Sequence, residues 1–450
     1  MLDKPKNANY CATVTILQEF VNLDNCDNLK AALIFGNSVI VGKDAKVGDI
    51  GLFFPVECKL SEEFLKENNL YRKPELNNEA TQKGYFEAHG RIKAMKFRGH
   101  KSEGFFIPLS SLNYLTDFKG TLEVGDVFDK IEGHLICEKY IPAHNPASQQ
   151  TKGKKASLKD SVVDGQFRFH FDTENLRKNI HKIQPTDIIS ISDKWHGTSA
   201  IISKPLIICH LSWYEKLLKK LGVKIQETQY GLVYSSRKMI KAVDGIDKSN
   251  GIHFYGEDIW GIIEKEVADK IPVSYTVYGE IVGYTPTGSP IQSASKGRPY
   301  HYGCSKGSHK FVVYRVTTTN ADGKTLELSW PQMREFCNKY GFEMVHEWFY
   351  GRADDLLSYL TVKYAGNDSN EDGIRVWQKE LLKVIEENYV NNKPCPFNNN
   401  EVPAEGIVVR RDRLTECESW KLKNFAFLED ETKMLDIGTV DIETAESEEN

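Results

Sequence analysis

The stretch from 143 to 165, AHNPASQQTKGKKASLKDSVVDG, constrains this chain more than any other. It is polar, carries Pro, Gly, Ser and a lysine cluster, and shows no apolar period. Such a segment buries too little apolar surface to offset the entropy of ordering it, so a single core cannot run through it. At 450 residues the chain is also about three times the ~150 residues taken as a soft domain prior. The expected organisation is therefore a domain over 1–142, a polar linker over 143–165, a second domain over 166–428 and an acidic tail over 429–450.

Before the linker the texture is short and alternating: CATVTILQEF, LKAALIFGNSVIVG, GDIGLFFPVE, RIKAMKFRG, EGFFIPLSSL and VGDVFDKI, punctuated by Gly, Asp and Asn. Five or six short strands in a domain of this size predict a small β-barrel of the OB type. Net charge is only −5, but it is unevenly placed. RIKAMKFRGHK holds Arg91, Lys93, Lys96, Arg98 and Lys101 with no acid among them, whereas the last residues are strongly acidic. An acid-free basic tract on a barrel strand makes Arg91, Lys93, Lys96 and Arg98 candidate contacts to a phosphate backbone.

After the linker the strands lengthen and alternate with helices, which predicts a mixed α+β domain. In SWPQMREFCNKYG, Ser329 is placed to cap a helix, Pro331 falls in its first turn and Gly341 stops it. WYEKLLKKL, residues 213 to 221, has the period of an amphipathic helix and is expected to pack its apolar face. The nine cysteines are scattered without a C-x-x-C pair, which argues for reduced thiols and against a zinc knuckle. No secretion signal is visible at the N-terminus, and no run approaches the ~18 apolar residues of a membrane span. An intracellular protein, cytoplasmic or nuclear, with no membrane partner is expected.

The chemistry concentrates around SISDKWHGTS, which places Lys194 between a β-branched strand and Gly197. A lysine amine attacks phosphorus only when deprotonated, and the ordinary lysine pKa is ~10.4, so a nucleophilic role requires other cations nearby. ESWKLKNF supplies two, since Lys421 and Lys423 alternate along a strand and share a face. Carboxylates for a triphosphate's metal are offered by Glu280 in VYGEIVGY and Glu405 in PAEGIVVR, each beside a glycine that leaves room for a ligand. Each fragment alone is weak. Their order is not: K-x-x-G, Ser236-Arg237, Y-G-E-x-x-G, the strand FVVYRV, E-G-h-V-x-R, then W-K-x-K.

That ordered set resembles the covalent nucleotidyltransferase superfamily of ATP-dependent ligases and capping enzymes, over about residues 186 to 425. Lys194 to Gly197 is similar to its motif I, Ser236 and Arg237 to motif Ia, Tyr278 to Gly283 to motif III, FVVYRV to motif IIIa, Glu405 to Arg410 to motif IV, and Lys421 with Lys423 to motif V. DNA ligases and capping enzymes generally place an OB domain after motif V, and the short, mostly acidic stretch after Lys423 is not expected to form one. The OB-like segment stands in front, and GRIKAMKFRGHKSEGFFIPL resembles the amino-terminal domain of the fifth RNA ligase family, which implies that the phosphate backbone met by Arg91, Lys93, Lys96 and Arg98 is RNA.

The resemblance implies an ATP-dependent RNA ligase that joins 3′-OH and 5′-phosphate ends through lysyl-AMP and RNA-adenylate intermediates, with Mg²⁺ or Mn²⁺; a nicked duplex is one substrate that presents such ends. Lys194 is the implied nucleophile, and Lys421, Lys423 and Arg237 assist it. Asp193, Gly197, Glu280, Tyr314, Glu405, Lys421 and Lys423 are the implied ATP contacts, Asp193 through the adenine amine and Tyr314 by stacking; Glu280 and Glu405 would hold metal. Two positions depart from the family pattern: His196 stands where motif I often has Asp or Asn, and Tyr314-Arg315-Val316 stands where motif IIIa usually reads Phe-Asp-Ile. The alternatives are an ATP-dependent DNA ligase and a non-catalytic nucleic-acid-binding protein with a ligase-like fold. Oligomeric state is left open.

Overall fold

The computed structural model describes residues 2–142, 158–246, 255–359, 371–413 and 417–439. Most of the expected linker, 143–157, and the last part of the expected tail, 440–450, lie outside the described residues. The chain groups into two compact units, one of Met1–Ala143 with Glu174–Asn179 and Phe425–Gly438, the other of His144–Thr173, Ile180–Asn424 and Thr439–Asn450. The helix Phe425–Asp436 thus belongs with the first unit. Expected boundaries split that helix between the second domain and a polar tail. It folds back instead because Phe425 and Phe427 are buried, and because Arg91 donates to the Thr432 carbonyl at 2.8 Å and pairs with Asp436 at 3.3 Å.

In the first unit, alternation along the chain becomes antiparallel pairing. Val127–Phe128, Ala12–Ile16, Ile50–Pro55 and Gly104–Pro108 form one sheet in that order. Glu19–Asn22, Leu29–Ile34 and Asn37–Gly42 form a second. Leu52 and Phe54 point into a core with Val14, Phe64, Phe128 and Ile136, while Phe53, one residue out of phase, joins Leu17, Ala32, Ile34 and Val39 on the other side. The period of two in a strand produces those two cores from one strand. Pairing among the described residues does not close these sheets into one barrel; the unit is strand-rich with a short helix, Glu62–Glu67.

The second unit is mixed α and β, as expected. One sheet contains Glu418–Lys423, Gly406–Arg411, Ile188–Lys194 and Glu347–Arg352, side by side and antiparallel. The other runs Ile240–Val243, Val233–Ser235, Thr198–Ser203, Tyr275–Gly283, His309–Thr319 and Thr325–Glu327, with Glu343–Met344 parallel to His309–Thr319. Trp195 to Gly197 is the crossover between the sheets, so the lysine ends one sheet and the residues after the glycine begin the next. The helix Trp330–Tyr340 forms as its sequence signals require: Ser329 and Gln332 make a reciprocal capping box, and Gly341 ends it at φ 68°. Among the described residues no helix is long and apolar enough to cross a membrane.

Candidate active site

The site begins with register. Lys194 lies opposite Gly406, and Gly406 lies opposite Lys423. Directly opposed residues project from the same face of a sheet, so the two lysines flank a position that carries no side chain. Gly406 has φ 148°, and a Cβ there would fall 2.1 Å from the Leu422 carbonyl oxygen and 2.9 Å from Lys423 Cα. Only glycine fits. One residue earlier, Glu405 is 3% exposed and sits between the lysines. Lys194 Nζ donates to Glu405 Oε1 at 2.7 Å, Lys423 Nζ lies 3.9 Å from the same oxygen, and His196 Nδ1 is 4.0 Å from Oε2.

Burial by itself would raise the Glu405 carboxyl, but Lys194, His196 and Lys423 outweigh it and hold it below the usual carboxylate range. Lys421, opposite Val408 and two residues from Lys423, is pushed down to about 7 by burial, reinforced by Lys423, Lys194 and Arg237. His170 is held well below the ordinary histidine range by burial, then by Arg315, Arg237, Lys194 and Lys421, and is therefore neutral. Arg237 is fixed by an ion pair to Asp172. A single buried carboxylate among several cations makes a surface complementary to a polyanion.

The glycine of the crossover has a packing reason as well. A Cβ on Gly197 would lie 2.3 Å from the Ile281 carbonyl oxygen. Its N–H donates to Glu280 Oε1 at 3.1 Å, and its carbonyl accepts from Gln292 Nε2 at 2.9 Å. His196 N–H donates to the Tyr302 hydroxyl at 2.7 Å, and the Tyr302 ring stacks on Trp195 with centroids 4.4 Å apart. Glu280 is thereby brought beside the lysine turn, and His196 is a hydrogen-bonded turn residue near Glu405. Tyr314 shares a hydrogen bond of 3.1 Å with Ser199 and meets the edge of His170 at 5.1 Å. Arg315, the departure in motif IIIa, pairs with Glu327 at 2.9 Å and stacks on Phe171 and Tyr278.

Asp193 precedes Lys194 on the strand and so projects to the opposite face. Its Oδ1 accepts from Trp348 Nε1 at 2.9 Å, and burial raises its carboxyl although Trp348 and His346 act in the other direction. Oδ2 is buried with no hydrogen-bond partner among the described residues.

The expected RNA contacts lie in the other unit and do not behave alike. Arg91 is 3% exposed, held by Thr432 and Asp436, and offers no surface to a ligand. Lys93 pairs with Glu87 and Asp436. Lys96, with half its side chain exposed, lies 3.6 Å from Glu429, and Arg98 donates to the Asn25 carbonyl at 2.9 Å. A tract without acids in sequence is supplied with them by the C-terminal helix.

Four residues of the site escaped sequence reasoning: Asp172, His170, Tyr302 and Trp348. For two of them a signal exists. In FRFHFDT, phenylalanines alternate with Arg168, His170 and Asp172, and Phe167 and Phe169 pack against the Val162 and Ile207 cluster, which leaves the polar set for the other side.

The family model for RNA ligase matches residues 188–424, the span that carries Lys194, Arg237, Glu280, Glu405, Lys421 and Lys423. No curated protein matches the chain. Among solved structures, the fold is similar to variants of Naegleria gruberi RNA ligase: one with AMP and Mn has a TM-score of 0.53 at 15% identity, covering 93% of this chain and 98% of that one. Another, with ATP and Mn, has a TM-score of 0.54 at 15% identity with the same coverage. The same ligase with PPi has a TM-score of 0.53 at 15% identity, covering 94% of this chain and 98% of that one.

Proposed function

The chain belongs to the RNA ligase family, and we propose that it seals RNA 3′-OH and 5′-phosphate ends at the expense of ATP, with Lys194 as the adenylylated residue. The observation that carries this is the placement of Lys194 Nζ on a buried carboxylate, Glu405, which Lys423 and His196 also approach, with Lys421 close enough to feel Lys194, Lys423 and Arg237. Lys194 Nζ, as the neutral amine, attacks the ATP α-phosphorus; an N–P bond forms, the bond to the oxygen bridging to the β-phosphate breaks, pyrophosphate leaves, and the extra proton on the nitrogen passes to water. An RNA 5′-phosphate oxygen then displaces the lysine, and a 3′-OH displaces AMP. Covalent catalysis of this kind divides a hard displacement into easier ones. Lys421 and Lys423 bind and stabilise the phosphate oxygens as charge develops there. Glu405 orients the amine.

A divalent cation fits the residues present. Glu405 Oε2 is buried without a hydrogen-bond partner among the described residues, and Glu280 is held beside the same turn. No group of three or more His, Cys, Asp or Glu side chains arranged to hold a metal ion occurs among the described residues, so Glu280 and Glu405 would hold Mg²⁺ or Mn²⁺ together with phosphate and water oxygens, as Mg²⁺ commonly binds. The ion would supply charge neutralisation of the triphosphate.

For the base, Asp193 is the reading for the exocyclic amine of adenine and Tyr314 for stacking. Trp348 supports the former by occupying one Asp193 oxygen and orienting the other. Trp348→Phe keeps the ring and removes the N–H; selectivity for ATP over GTP in protein adenylylation is expected to fall about tenfold, the value of one lost orienting hydrogen bond. Unchanged selectivity would leave Trp348 as packing only.

The direct test is to incubate the full chain with labelled ATP and Mg²⁺, then with nicked duplexes carrying RNA or DNA at the 3′-OH side. AMP loading followed by sealing of the RNA nick supports the proposal. A chain that loads no AMP, or loads it and joins only DNA, overturns it.

We read the first unit as an OB-like RNA-binding module, a reading supported by its short antiparallel strands and by the exposure of Lys96 and Arg98. Replacing Lys96 and Arg98 together by glutamine should leave AMP loading intact. Sealing should weaken and lose salt dependence, by up to ~0.9 log units per lost phosphate contact for each decade of salt on a duplex. Arg91→Gln should instead lower the thermal midpoint, because it strips the Thr432 carbonyl and Asp436 of their buried partner. Equal salt slopes in the double variant and the parent would remove RNA binding from this tract.

A further inference from the structure

The helix Trp213–Lys220 was expected to pack, and it does not. No residue of it is buried. Trp213 is 78% exposed, Leu221 71%, Tyr214 53% and Leu217 50%. At about 100° per residue, Trp213, Tyr214, Leu217, Leu218 and Leu221 fall within an arc of about 140°, with Lys216, Lys219 and Lys220 around the rest. The helix is well formed for its length, since Ser212 and Glu215 make a complete capping box. It is carried on the short pair Leu206–Ile208 and Thr228–Tyr230, and that stem is anchored by Ile207, 2% exposed in a cluster with Val162, Val233, Ile240 and Val243. The insertion has a fixed base and a fully wet amphipathic tip.

Charge identifies the occupant. On the far border Glu215 stands with Lys219, which is paired with Glu227 at 2.7 Å, while Lys216 and Lys220 are exposed along the near border of the apolar arc and Lys224 is exposed just past the helix end, so the covering surface must be apolar within and anionic along that lysine border. Single-stranded RNA would meet the lysines and the two aromatic rings but leave Leu217, Leu218 and Leu221 in water. An anionic bilayer satisfies all of them: aromatic rings and leucines enter the boundary between headgroups and acyl chains, and lysine stems reach back to headgroup charges. We propose that Trp213–Lys220 is a lipid-docking helix that holds the protein on the surface of an anionic membrane through Trp213, Tyr214, Leu217 and Leu221, with Lys216, Lys220 and Lys224 facing the headgroups. The absence of a membrane-crossing helix among the described residues does not bear on this, because such an element lies on the bilayer rather than across it.

The test is co-sedimentation of the full chain with vesicles of phosphatidylcholine, with and without phosphatidylserine, over a salt series. Two variants accompany it, one with Trp213→Ser, Leu217→Ser and Leu221→Ser, the other with Lys216→Gln, Lys220→Gln and Lys224→Gln. The parent is expected to partition onto the phosphatidylserine vesicles and to leave them as salt rises. Each cation near such a surface is worth about a fivefold factor in partition, so the lysine variant should bind at least ~10-fold more weakly, and the apolar variant should not bind detectably. Both should keep the parent's thermal midpoint and AMP loading, since none of these side chains is buried or touches the lysine cluster. Partition unaffected by either variant overturns the proposal. So does a concentration-dependent dimer that the apolar variant abolishes in the absence of lipid, which would make the face an interface between copies, and so does loss of RNA affinity in the lysine variant with no vesicle binding by the parent.

Discussion

Lys194→Ala is expected to abolish the covalent AMP adduct, lowering AMP loading by roughly 10³-fold or more, because no other side chain can replace a nucleophile held at the end of its strand. The measurement is transfer of label from α-labelled ATP to protein, in a bond that survives alkali and is broken by acid, as a phosphoramidate is and an ester to a hydroxyl side chain is not. A second assay separates chemistry from folding. Given RNA whose 5′ end is already adenylylated, the variant should still join it to a 3′-OH, within about tenfold of the parent, since that step needs the ends aligned but not the amine. An adduct that persists in Lys194→Ala would mean that the nucleophile has been misassigned. Loss of both activities with a lowered thermal midpoint would mean that the strand, not the amine, was damaged.

Glu405→Gln should be nearly as severe for a different reason. It keeps the shape of a side chain that is 3% exposed but removes the charge on which Lys194 Nζ rests at 2.7 Å and toward which Lys423 and His196 are drawn. AMP loading should fall about 10²- to 10³-fold, the usual cost of one electrostatic contact aimed at the reacting centre. Stability should fall as well, by about 2 kcal/mol, less than the 3–5 typical when a fully buried pair is broken, because the Lys194 and Lys423 side chains remain 27% and 23% exposed and can take up water.

The pH dependence follows from the sign of the Glu405 shift. Its folded carboxyl lies below the usual range, so its stabilising contribution is complete above the unfolded value of ~4.3 and is lost as pH falls through the folded one. Thermal midpoints of parent and Glu405→Gln should therefore differ most near neutrality and converge in acid. A gap that stays constant from pH 7 down to acid would place the stabilisation in packing rather than charge.

Much of this site is a local property of the chain. Side chains alternate along a strand by covalent geometry, so Lys421 and Lys423 had to share a face, and Asp193 and Lys194 had to point apart. Glycine at 197 and 406 announced crowding, and the structure identifies the crowding atoms as the carbonyls of Ile281 and Leu422. The capped helix Trp330–Tyr340 formed where Ser329, Pro331 and Gly341 placed it. Such features need only neighbours a few residues away.

Other features needed partners that no local pattern names. Arg91 was an exposed base by composition, but its fate was set by Thr432 and Asp436, more than three hundred residues later, on a helix whose acidic sequence suggested a loose tail. His170 became a neutral group of the candidate site because the fold buries it, and because Arg315, Arg237, Lys194 and Lys421 converge on it from separate strands and loops. Trp348 reached Asp193 only because Glu347–Arg352 pairs with the lysine strand. The amphipathic period of residues 213 to 221 was read correctly, yet periodicity states which face of a helix is apolar and not what covers it. The sequence by itself determined which residues share a face and where the chain turns, because those depend on bond geometry and on nearest neighbours along the chain. Which faces meet, which charges are buried together and which apolar face is left in water were decided by the tertiary structure, because burial and electrostatics depend on distance in space.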